Sequence, residues 1–81
     1  MPVVFVYRGR RFFFFSNEGN PREPVHIHVR QGERLAKSWV IPVATVAESH
    51  GFSARELNHL AAVVDRHRPL IERRWHEHFG G

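Results

Sequence analysis

Val25, Ile27 and Val29 alternate without a break with His26, His28 and Arg30. A period of two predicts a half-buried β-strand, with the aliphatic side chains on a core face and two imidazoles and a guanidinium in a row on the other. Neighbours in such a row stand about 6–7 Å apart. Earlier in the chain, Val3-Val4-Phe5-Val6-Tyr7 is rich in β-branched and aromatic residues and reads as a strand. Arg8-Gly9-Arg10 is a hairpin turn, and residues 11–16 return as a second strand. Phe12-Phe13-Phe14-Phe15 make both faces of that strand apolar, so it needs a central place in the sheet, or a cover of helices or a second subunit. Residues 17–24 are a loop by composition. Gln31-Gly32-Glu33 turns the histidine strand back into a fourth strand over 34–41, closed by Pro42. One register of strands three and four sets Lys37 on the histidine face near His26. A slip of one residue sets it opposite Ile27 on the apolar face. The first is preferred because it keeps the ammonium out of the core.

After Pro42 the period changes. Val43, Val46 and Ala47 share one side of a short helix over 43–50, stopped by Gly51. Ser53 and Glu56 form a capping box, and Phe52 staples to Leu57 at the start of a helix over 54–66. Leu57, Leu60, Ala61 and Val64 give its apolar stripe. Pro69 breaks or kinks the chain near 66–69 and suits the first turn of a last helix over 69–79. There Ile71, Trp75, His78 and Phe79 line one side, and Gly80 ends it. The strands span about 3–7, 11–16, 25–30 and 34–41. Strands first and helices afterwards predict an α+β domain: a four-stranded, mainly antiparallel sheet with two to three helices on one face.

Composition sharpens this picture in a few places. A chain of 81 residues is read as one domain, 1–81. The first residues lack the basic start of a signal peptide, and no apolar run approaches the ~20 residues that span a bilayer. The expectation is a cytoplasmic protein without a membrane partner. Cysteine is absent, which excludes disulfides, thiolate zinc sites and a thiol nucleophile. Twelve Lys and Arg against eight Asp and Glu give +4 with histidine neutral. Lys37 is the one lysine; the other cations are arginines, which favour bidentate contact with phosphate or carboxylate.

Four constellations are candidates for chemistry. His26-x-His28 on a strand could face one metal, but His76-x-His78 on a helix points about 200° apart and cannot join it as a pair. The reading is therefore no metal centre and no cofactor. His26, His28 and Lys37 could act as a metal-independent ribonuclease, with Arg22 or Arg30 holding the phosphate and the RNA 2′-hydroxyl as nucleophile. Residues 43–60 have spacings of a helix-turn-helix, with Ser53, Ala54, Arg55, Asn58 and His59 toward a DNA groove, although His50 stands where an apolar residue is needed. Finally, Arg8, Arg10 and Arg11 in one turn and Arg30 and Arg34 beside another would form a basic rim at one end of the sheet. With Tyr7 or Trp39 nearby, that rim suits an RNA backbone and its bases.

Phe12-Phe13-Phe14-Phe15-Ser16-Asn17-Glu18, Pro24-Val25-His26-Ile27-His28-Val29, Ala36-Lys37-Ser38-Trp39, His50-Gly51-Phe52-Ser53 leading into Glu56-Leu57, and Trp75-His76-Glu77-His78-Phe79 together resemble a family of short bacterial proteins catalogued as domain of unknown function 4160. The resemblance runs from Val3 to Phe79. The family's His-x-His motif falls on His26 and His28. Pro69 is a departure from the uninterrupted last helix pictured for the family. Members resemble the two-gene companions of another small protein in toxin–antitoxin modules. That implies a companion protein or a homodimer as partner and a nucleic-acid target, RNA or DNA, but no catalytic role. The expected contact residues are Arg8, Arg10, Arg11, His26, His28, Arg30, Arg34, Lys37 and Trp39.

Overall fold

In the computed structural model, residues 2–16 and 23–80 are described. Five strands precede two helices: β1 (Val3–Tyr7), β2 (Arg10–Phe13), β3 (His26–Gln31), β4 (Arg34–Trp39), β5 (Thr45–His50), α1 (Ala54–Arg66) and α2 (Arg68–Phe79). The sheet is an antiparallel meander in the order β1-β2-β3-β4-β5. The α+β class is as expected, but the sheet has a fifth strand. Residues 45–50, expected as part of a helix, are β5. β-Branched Thr45 and Val46 favour a strand, and the free edge of β4 supplies their ladder partners. The helices number two, meeting at His67.

Local chemistry sets the turns. Arg8 and Gly9 both have positive φ, 48° and 77°, as a two-residue hairpin with the twist of its flanking strands requires. At the end of β5, Gly51 has φ +90°, and a Cβ there would stand 2.9 Å from Arg34 Cγ. Both the conformation and the close approach call for glycine. The next turn starts α1 with the expected capping box. The Glu56 N–H donates to Ser53 Oγ at 3.1 Å, and the Ser53 N–H donates to Glu56 Oε1 at 2.9 Å.

The core lies between the sheet and the helices. Phe12, Phe14, Val25, Ile27, Val29 and Ala36 meet Leu60, Val63 and Val64 of α1 and Ile71 and Trp75 of α2. Phe5 stacks on Phe12 at 4.4 Å between ring centroids and on His67 at 4.2 Å. Full burial of one such phenylalanine contributes about 1.5–3 kcal/mol. The loop from β4 to β5 is held to the helix junction. The Ala44 N–H donates to Asp65 Oδ1 at 2.7 Å, Arg68 Nε donates to the Val40 carbonyl at 3.1 Å, and Arg68 also pairs with Asp65.

The four-phenylalanine run divides between the two faces. Phe12 and Phe14 point to the helices. Phe13 and Phe15 point away from them and pack edge to face at 5.2 Å. Phe13 is nevertheless fully buried, because Phe15, His28 and Arg30 close over it. The second face of β2 is thus covered by residues of the sheet itself.

Candidate functional site

The face of the sheet opposite α1 and α2 carries the histidine row. His28 stands directly across from Lys37, and His26 across from Trp39. The register places Lys37 on the histidine face as expected, one pair further along than beside His26. β5 extends the row: Lys37 is paired with Glu48, and Leu35 with His50. On the other side Phe13 is paired with His28, and Arg11 with Arg30. Alternation therefore gathers Arg11, His28, Arg30, Lys37, Trp39, Glu48 and His50 onto one face.

Cations and rings interleave there. Arg30 lies 5.9 Å from the Phe13 ring centroid, and Lys37 Nζ lies 4.6 Å from that of Trp39. Both are within cation–π range. Lys37 also pairs with Glu23 at 3.5 Å. Its side chain is only 17% exposed.

The two histidines of the motif have different surroundings. β2 ends at Phe13, opposite His28, so no β2 residue is paired beside His26. Trp75 of α2 packs against His26, 5.0 Å between ring centroids. His26 is 0% exposed and His28 7%. His26 Nδ1 lies 2.9 Å from the Pro24 carbonyl, which can only accept, so Nδ1 carries the hydrogen. A catalytic couple needs both groups within reach of the proton they move. For the ribonuclease alternative, His26 would have to leave this packing to meet a substrate. Arg22, its expected phosphate partner, lies outside the described residues.

A cleft of about 310 Å³ opens beside His28. Leu35, Lys37, Glu48 and His50 stand at its corners. The paired Ala36 and Ser49 lie between them, with side chains directed to the other face, so the floor is peptide backbone. Phe15 forms the remaining wall, its ring 4.5 Å from that of His28. Phe15, Leu35, Glu48 and His50 were not among the expected contact residues. Reading 45–50 as a strand would have placed Glu48 and His50 on this face.

The arginine rim is divided. The β1–β2 and β3–β4 turns lie at the same end of the sheet, but Arg10 and Arg34 both reach Glu56 of α1, at 3.7 and 2.9 Å. The Glu56 carboxyl is held below its ordinary pKa, first by the Ser53 backbone N–H that donates to it, then by the Ser53 hydroxyl, Arg34 and Arg10, with desolvation opposing. Arg8 lies 5.2 Å from the Tyr7 ring centroid and is exposed, as are Arg11 and Arg30.

The helix-turn-helix expected over 43–60 lacks its first helix, since that stretch forms β5. Ser53, Ala54, Arg55 and Asn58 are exposed, whereas His59 is hydrogen-bonded to the Tyr7 hydroxyl at 3.1 Å. His78 lies parallel to Phe14 at 6.5 Å and edge-on to Phe79 at 4.5 Å between ring centroids, and His76 is exposed on α2. Among the described residues, no group of three or more His, Cys, Asp or Glu is placed to hold a metal ion. No described helix is long and apolar enough to cross a membrane.

Fold and site together define a small α+β domain with a helix-backed meander and, among the described residues, a basic and aromatic face opposite α1 and α2. The profile described as domain of unknown function (DUF4160) matches residues 9–76. The chain belongs to that family. Neither curated proteins nor solved structures gave a significant match.

Proposed function

We propose that this chain is a small binding domain whose open sheet face takes a single strand of nucleic acid. The observation that carries the reading is the interleaving of Arg30 with Phe13 and of Lys37 with Trp39 on the face opposite α1 and α2. Cations on such a surface neutralise phosphates, and the half-buried Trp39 ring beside Lys37 offers a stacking platform to a base, while the fully buried Phe13 seats Arg30 from beneath. The net charge of +4 favours approach of a polyanion. Arg8 and Arg11 extend the positive field along the turn end of the sheet. Within a toxin–antitoxin-like module of a bacterial cytoplasm, a companion protein would occupy another surface of the domain.

The test is fluorescence anisotropy of labelled single-stranded RNA and DNA against salt concentration. Binding that falls steeply with salt, and falls further in an Arg11→Gln/Arg30→Gln/Lys37→Gln variant, supports the reading. A folded variant that binds as tightly as wild type, with the same salt slope, removes this face from the interaction.

A further inference from the structure

A strand-binding face assigns a surface but leaves open what is recognised on it. The cleft beside His28 supplies a specificity element, and its assignment rests on the strand-binding reading. We infer that the cleft framed by Phe15, Leu35, Lys37 and Glu48 holds one unstacked nucleobase, and that Glu48 selects a base carrying an exocyclic amine.

Size and shape come first. About 310 Å³ is the low end of the range for small-ligand pockets, enough for a base with part of its sugar. The floor is the backbone of Ala36 and Ser49, with no side chain rising from it, so a flat ring can lie close to the sheet. Phe15 supplies an aromatic wall and Leu35 an aliphatic one, the lining that stacking and apolar contact need.

Chemistry then narrows the choice. Lys37 and Glu48 are direct cross-strand partners at one end of the frame. The lysine can donate to a carbonyl or phosphate oxygen. A carboxylate on a polyanion-binding face repels phosphate, a cost offset when it accepts a hydrogen bond from the base. The groups on a base that satisfy it are ring N–H and exocyclic amine. Cytosine N4 is a recognised partner of an acidic side chain, whereas uracil presents oxygen at the same position. Cytosine and uracil have the same shape but differ at position 4 and at N3; uracil N3–H is flanked by two carbonyl oxygens that repel a carboxylate, whereas cytosine N4 projects a free N–H toward it. Glu48 is exposed, and the Lys37 ammonium, paired with Glu23 at 3.5 Å, keeps further N–H groups for a ligand oxygen.

The experiment titrates labelled oligo(rC), oligo(rU) and an abasic strand of equal length against the full chain and against Glu48→Gln and Leu35→Trp. Glu48 is exposed, so Glu48→Gln leaves the fold intact. The expected result is oligo(rC) binding about fivefold to tenfold tighter than oligo(rU). Glu48→Gln should bring the ratio near one, and Leu35→Trp, by filling the cleft, should lower affinity for oligo(rC) toward that of the abasic strand. Equal, salt-dependent binding of all three strands overturns the base pocket while leaving the strand-binding face standing. A preference for oligo(rC) that survives both substitutions also overturns it. No binding of any strand at low salt overturns the face reading, and the pocket with it.

Discussion

Lys37 and His28 are direct cross-strand partners on the face of the sheet opposite α1 and α2. The pairing sets the Lys37 side chain along the cleft, with its ammonium 4.6 Å from the Trp39 ring centroid. A long basic side chain so placed costs little to keep, because its charge is paired with Glu23 and lies against the Trp39 ring. Lys37→Met retains the stem and removes the charge. Stability should change by less than about 1 kcal/mol, as for a partly exposed ion pair. The salt dependence of nucleic-acid binding should become shallower by about one unit of slope. Urea denaturation and anisotropy titrations at several salt concentrations check the two halves separately.

His26 is expected to act through the fold. Its ring is closed in by His28, Trp39 and Trp75 and bound to the Pro24 carbonyl. His26→Ala should destabilise by about 2–4 kcal/mol through cavity formation and a lost buried hydrogen bond. Denaturant unfolding gives the stability change. Binding measured on the folded fraction should stay close to wild type, and a large loss of binding at unchanged stability would give His26 a direct contact role.

Gly51 joins β5 to the start of α1. Its φ of +90° and the 2.9 Å approach of a would-be Cβ to Arg34 Cγ both oppose a side chain. Gly51→Ala should cost about 1–2 kcal/mol from the left-handed conformation alone, with any displacement of Arg34 adding to it. The midpoint of urea unfolding reads this directly. A neutral outcome would mean that the turn relaxes without disturbing the Arg34–Glu56 pair.

Glu56 makes the domain acid-sensitive in a definite direction. Its folded pKa lies below the ordinary carboxylate value because Ser53, Arg34 and Arg10 favour the ionised form. A lowered folded pKa gives stability that is fully present above the unfolded pKa and is lost as pH falls through the folded one. The stability difference between wild type and Glu56→Gln should be constant near neutral pH and shrink in acid, below about pH 4.3. Unfolding curves at several pH values measure it. A difference that grew in acid would reverse the sign.

The histidine strand was legible because a half-buried strand writes its two faces into alternate residues. The α1 capping box was legible because Ser53 and Glu56 act within one turn. β5 was not. It is an edge strand with Thr45, Ala47, Glu48, Ser49 and His50 all exposed, so burial imposed no alternation on it. Val43, Val46 and Ala47 meanwhile imitate helical spacing. The contrast between His26 and His28 was also hidden. It depends on β2 ending at Phe13 and on Trp75 entering from α2, and neither is local to the motif. The arginine rim likewise looked uniform in sequence, until Arg10 and Arg34 proved to share Glu56.

Backbone amide shifts on adding a short single-stranded oligonucleotide report whether the sheet face opposite the helices receives the strand. The predicted result is a continuous band of perturbation through Arg11, His28, Arg30, Lys37, Trp39 and Glu48, fading as salt is raised. Perturbation concentrated instead on the exposed residues of α1 and α2, such as Arg55, Asn58, Arg73 and His76, would contradict it.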